Sequence, residues 1–160
     1  MGYTLAWTRL DGQSGHEAGL RLLEKLYWEK TGEDLPQIAR TGAGKPYFLD
    51  SHWHFSISHT KNHAFCVLSR GNLGLDAEEM GRKVGEKLVG RFLSEPERRR
   101  LGAENDAGAL RLWVLKEALA KRTGRGIGNW LKETDFDPND ERITMIDGCY
   151  VAVLEEENAV

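Results

Sequence analysis

Cysteine is scarce in this chain, with two among 160 residues, Cys66 and Cys149. Each stands singly in an apolar, strand-like stretch. A disulfide-stapled framework has little to build on, and both read as reduced core residues of a cytoplasmic protein, a disulfide between them being the lesser alternative. Long hydrophobic runs are absent, and none approaches the length of a membrane span. The start, MGYTLAWTRL, lacks the basic region and apolar block of a signal peptide. A Met-Gly start would suit N-myristoylation, but Ala6 stands where that signal takes Ser or Thr. There is no internal repeat and no low-complexity tract. Neither a membrane nor nucleic acid is expected as a partner.

What is present is enough for a core. Apolar residues make up 40% of the chain, with five Trp, which excludes disorder for most of it. The length suits one domain, or two small parts sharing a core. Charge is uneven. Residues 81–100 carry seven Lys or Arg against three Glu, while residues 101–160 carry seven against twelve acids. The basic segment reads either as a solvated helix face or as a docking surface for an acidic partner.

Periodicity predicts a strand at YTLAW and a helix over His16 to Lys30, with Leu20, Leu23, Leu26 and Tyr27 on one face. RTGAGKPYF reads as a Gly-rich turn into a short strand. HFSIS, AFCVLS and LGLDAE read as strands, and GRKVGEKLVGRFL as a modest helix. SEPE has the form of a capping box, Ser94 with Glu97. A long helix is expected from about Ala107 to Thr123, stopped by Gly124, and GCYVAVL is the clearest strand of the tail. Strands and helices mix without regular alternation, so the expected class is α+β. The last residues, EEENAV, are expected to fray.

Two features concentrate acids. Asp76 and Glu78 lie two apart on a predicted strand and so share a face, opposite Leu73, Leu75 and Ala77. Like charges side by side repel unless a cation lies between them; a solvent-facing edge strand would also account for the pattern. In the long helix, Glu117 and Lys121 fall within an apolar stripe of Leu110, Trp113, Val114 and Ala118, with Leu112, Leu115 and Leu119 opposite. A carboxylate there is partly desolvated and needs a compensating charge. Lys121 can supply it as an i,i+4 pair. Alternatively Glu117 joins Asp76 and Glu78 around a hard ion such as Mg²⁺. GAGK lacks the spacing of a phosphate-binding P-loop, and His52, His54, His59 and His63 have no partners at zinc-ligand spacing.

GKPYF, FSISHT, LGLDAEE, RFLSEPE and LWVLKEALAKRTGRGI follow one another from Gly44 to Ile127. This series resembles the signature segments of 4′-phosphopantetheinyl transferases of the surfactin-synthetase-activating type, in a short variant. The resemblance covers about half the chain. It implies two similar α/β halves, about 1–70 and 71–160 of a single 1–160 domain, with the active site in the cleft between them. It also implies transfer of the phosphopantetheine arm of coenzyme A to a Ser of an acyl or peptidyl carrier protein, with Mg²⁺. A monomer would suffice, since both halves lie in one chain. Carried over residue by residue, Asp76, Glu78 and Glu117 would hold Mg²⁺. Lys45, Ser58, His59, Lys116 and Lys121 would bind coenzyme A, and Glu117, Lys121 and His59 would be catalytic. The family's basic residues that grip the nucleotide have no clear match in the short first half, where Arg9, Arg21 and Arg40 are candidates. Ala77 and Leu93 are mild departures from the family's pattern. The alternative is a degenerate family member that binds coenzyme A or serves as a scaffold.

Overall fold

The computed structural model describes residues 2–102 and 105–156. Strand β1 (Thr4–Arg9) leads to helix α1 (Gly15–Thr31), a short hairpin of β2 (Ile38–Arg40) and β3 (Pro46–Phe48), and strands β4 (His54–His59), β5 (His63–Ser69) and β6 (Leu73–Glu79). Helices α2 (Glu86–Phe92), α3 (Glu95–Leu101) and α4 (Asp106–Thr123) follow, then a 3-10 turn (Asn129–Glu133) and strands β7 (Ile143–Ile146) and β8 (Cys149–Glu155). The mixed α and β content matches the expected class. The last four residues of EEENAV, 157–160, lie outside the described residues.

The local signals explain most boundaries. Ser14 caps α1 by accepting from the Glu17 amide, and Gly32 ends it in the left-handed region. Ser94 and Glu97 form both bonds of a capping box at α3. Asn105 caps α4 and Gly124 ends it at φ 72°. The segment GRKVGEKLVGRFL departs from expectation, because only Glu86–Phe92 is helical. Gly81 turns the chain at φ 86°, and Gly85 begins the helix without a side-chain cap.

Two antiparallel sheets of three strands, ordered β1-β5-β4 and β6-β8-β7, carry the fold. Helix α1 packs on β5 and β4, burying Leu23, Leu26 and Tyr27 against Phe48, Phe55, Cys66 and Leu68. Helix α4 packs on β6 and β8. It is apolar on two sides, and Leu110, Leu112, Val114 and Leu115 are fully buried. The sheet faces turned away from the helices meet through Phe65, Val67, Leu73, Leu75, Val151 and Val153. Alternation along β6 therefore works as read: Leu73, Leu75 and Ala77 enter that core, and Asp76 and Glu78 face the other way. Cys66 and Cys149 are buried and unpaired.

Strands β4 and β6 lie side by side without a backbone ladder among the described residues. Serine hydroxyls bridge the seam instead. Ser56 Oγ accepts from the Leu75 amide at 3.0 Å, and Ser58 Oγ from the Ala77 amide at 3.1 Å. One glycine sets how close α4 lies to β6. A Cβ at Gly74 would collide with the carbonyl of Ala118 and the backbone of Arg122.

Candidate active site

Three carboxylates converge where α4 crosses β6. Asp76, Glu78 and Glu117 each present an oxygen, and the three lie within 4.8 Å of one another. Asp76 is buried, whereas Glu78 and Glu117 are half-buried. Unit charges about 4 Å apart repel by roughly 4 kcal/mol at an effective dielectric near 20. Burial first, then Asp76 and Glu78, push the Glu117 carboxyl up to about 9. Burial also raises Glu78, against the opposing bond from Arg82 Nη1 at 2.5 Å. Asp76 Oδ1 accepts from the Lys121 ammonium at 3.2 Å and from the Ser58 hydroxyl at 3.2 Å. Its other oxygen, Oδ2, is buried and meets no lysine, hydroxyl or amide donor; in the metal-free fold the protonated Glu117 carboxyl is the group that hydrogen-bonds Asp76. Among the described residues one other buried side-chain polar atom is left without a partner, Trp113 Nε1 beside Phe92 in the core. Three acids and a buried carboxylate oxygen that no lysine, hydroxyl or amide reaches fit a hard divalent cation.

Lys121 does not pair with Glu117 as the i,i+4 reading allowed. It reaches across the seam to Asp76 and to the Ile57 carbonyl at 3.4 Å. Beyond it opens a cavity of ≈ 320 Å³ lined by Lys45, Phe55, Ile57, Glu117, Lys121 and Ile127, among others. Lys45 comes from the turn between β2 and β3, where Gly44 takes φ 99°. Its ammonium donates to Asn72 Oδ1 and to the Arg122 carbonyl, both at 2.6 Å, and burial lowers its proton affinity. Arg40 donates to the Gly44 carbonyl at the same rim. Arg9 is instead held by Asp147, and Arg21 by Gln13.

The remaining expected residues, Ser58, His59 and Lys116, take three different positions. Ser58 is 5% exposed, and its hydroxyl serves the seam and Asp76. His59 is exposed at the end of β4, its ring against Gly15 in the first turn of α1. It lines a separate hollow with Thr60, Lys61, Glu78, Glu79 and Arg82, on the far side of the acids from Lys45. Lys116 corrects the expectation most sharply. One residue from Glu117, it faces the opposite side of α4 and is fully buried. Its ammonium pairs with Glu97 Oε1 at 2.8 Å and donates to the carbonyls of Leu131 and Thr134. A cation so enclosed has no path to a ligand in the cavity.

Some participants carried no sequence signal. Asn72 and the Arg122 carbonyl orient Lys45 through tertiary contacts that no spacing encodes. Arg82 stands four residues after Glu78, a spacing that reaches the acid only because the chain turns after β6.

A sequence profile of the 4′-phosphopantetheinyl transferase superfamily matches residues 72–153, which hold all three acids. The chain is 33% identical over 88 residues to "4′-phosphopantetheinyl transferase gsp" of Aneurinibacillus migulanus, covering 52% of this chain and 36% of that one. It is 34% identical over 106 residues to "Putative 4′-phosphopantetheinyl transferase slr0495" of Synechocystis sp., covering 60% and 43%. The chain thus spans less than half the length of these relatives.

Proposed function

The chain belongs to the 4′-phosphopantetheinyl transferase superfamily, and from that premise we propose that it moves the phosphopantetheine arm of coenzyme A onto a serine hydroxyl of an acyl or peptidyl carrier protein, releasing adenosine 3′,5′-bisphosphate. The observation that carries this reading is the acid cluster beside the cavity, with Lys121 shared between them. The halves would be about 1–70 and 71–160, with the cavity between them taking coenzyme A.

Phosphoryl transfer needs charge neutralised on non-bridging oxygens, an activated hydroxyl and a stabilised leaving group. Asp76, Glu78 and Glu117 would hold Mg²⁺, which when bound supplies the charge neutralisation. Lys121 lies at the boundary of acids and cavity, placed to meet the diphosphate. Lys45 keeps one N–H of its ammonium for an anion at the cavity rim. Glu117 is the base in this scheme: it takes the serine proton once the neighbouring negative charge is offset. His59 faces the hollow on the other side of the acids, where it would meet the incoming carrier or a coenzyme A phosphate. The exposed basic residues Lys83, Lys87, Arg91 and Arg98 offer complementary charge to an acidic carrier.

The test is to incubate the protein with an apo-carrier protein, coenzyme A and Mg²⁺ and to weigh the carrier. A mass gain of one phosphopantetheine group, lost with EDTA, is the expected result. Coenzyme A binding without transfer to any of an acyl, polyketide or peptidyl carrier would mark a binding protein instead.

A further inference from the structure

Asp76 is held at one oxygen by Ser58 and Lys121, and neither reaches the other. A buried carboxylate could rotate and bury either oxygen against its donors. What fixes its orientation here is a short relay across the seam. The Ala77 amide donates to Ser58 Oγ at 3.1 Å, which occupies a lone pair of the hydroxyl. The single O–H of Ser58 then points at Asp76 Oδ1, 3.2 Å away. Lys121 approaches the same Oδ1 and not Oδ2. Both donors therefore pin one oxygen and leave the other for a ligand.

We infer that Ser58 is a positioning residue for cation binding: it sets the plane of the Asp76 carboxylate so that Oδ2 is presented beside Glu78 and Glu117. This differs from the coenzyme A contact that the resemblance implied for Ser58. A hydroxyl 5% exposed, with its one proton committed to Asp76, has none left to donate to a phosphate. Groups that orient metal ligands typically govern affinity by about 10–100-fold. Ser56 supplies an internal control. It makes the same kind of seam bond, to the Leu75 amide, and no bond to an acid.

The inference rests on the cation site proposed above, so the experiment must separate the two. Mn²⁺ is titrated into the coenzyme A-free protein and the free ion followed by electron paramagnetic resonance, for wild type, Asp76→Asn, Ser58→Ala and Ser56→Ala. Coenzyme A affinity is measured in EDTA for the same proteins. The expected result is loss of Mn²⁺ binding in Asp76→Asn and a roughly 10–100-fold weakening in Ser58→Ala. Ser56→Ala keeps near wild-type Mn²⁺ affinity, and Ser58→Ala keeps its coenzyme A affinity. Wild-type Mn²⁺ affinity in Ser58→Ala, alongside loss in Asp76→Asn, overturns the positioning role and leaves the cation site standing. No Mn²⁺ binding by wild type overturns both. Equal weakening in Ser56→Ala reduces Ser58 to a seam staple, and a matching loss of coenzyme A affinity makes it a coenzyme A ligand; either result overturns the inference. Should Ser58→Ala not fold, Ser58→Cys, which keeps the side chain's shape with a much weaker donor, takes its place.

Discussion

Lys116 and Glu117 are adjacent in the chain and sit in opposite electrostatic worlds. On one side of α4, Lys116 is sealed from water, yet every donor has a destination in Glu97 and two carbonyls. Glu97 is equally complete, accepting from the Ser94 and Phe136 amides as well. On the other side, Glu117 faces two more acids, and a neighbouring carboxylate oxygen meets no lysine, hydroxyl or amide donor. Burial alone therefore does not separate structural from functional charge. What separates them is whether the local charge is closed. The closed pair ties α4 to α3 and the 129–136 segment, and the open cluster is left short of positive charge.

The comparison can be broken from either side, and the largest effect is expected in catalysis. Glu117→Gln keeps shape and hydrogen bonding while removing the base and one negative charge. Transfer to a carrier, followed by mass, should fall about 10²–10⁴-fold. The melting temperature in EDTA should hold near pH 7, where the carboxyl is already protonated, and exceed that of wild type as pH climbs toward 9. A large loss of stability with activity retained would place Glu117 with the structural charges. On the closed side, Lys116→Met strands the Glu97 carboxylate in the core. That should cost about 3–5 kcal/mol in denaturant unfolding, whereas Lys116→Met with Glu97→Met should recover most of it. Loss of coenzyme A affinity in a folded Lys116 variant would return that residue to the site.

The effect that sharpens the contrast is a dependence on pH. The Glu117 carboxyl ionises near 4.5 when unfolded and is pushed up to about 9 in the fold. Between those values the native protein holds a proton that the unfolded chain releases, so stability in EDTA should decline as pH rises through this window. Glu78, raised in the same direction, adds to the slope. Thermal melts from pH 5 to 9 should show the decline, Glu117→Gln should flatten it, and Mg²⁺ should oppose it. A Glu117→Gln profile identical to wild type would mean that the carboxyl is not protonated in the metal-free fold.

Much of this was legible before the structure. The 2.0 period of LGLDAEE placed Asp76 and Glu78 opposite the core, and the two stripes of α4 marked it as central. The capping box of Ser94 and Glu97 and the stop at Gly124 were legible because a cap is a local event, whereas the caps at Ser14 and Asn105 emerged only in the fold. The destinations of Lys116 and Ser58 were not legible. Both depend on what lies across a packed interface, and one residue of helix, about 100°, decides whether a lysine meets a cavity or a buried glutamate. Glu79, next to Glu78, falls on the opposite face of the strand by alternation. In the fold it accepts from the Thr60 hydroxyl and the Asn62 amide, partners almost twenty residues away. The overlong helix after Gly81 has a simpler cause, since apolar spacing survives in a segment whose glycines delay the helix.

Gly74 carries the last consequence. With no side chain it lets the carbonyl of Ala118 and the backbone of Arg122 rest directly on β6. The gap between the acid donated by the strand and the acid donated by the helix is thus a main-chain dimension, and repacking of side chains has no means to retune it. A single methyl at this position would act as a wedge under the last turns of α4. It would lift Glu117 and Lys121 together and widen the three-acid span without altering any residue that touches a substrate.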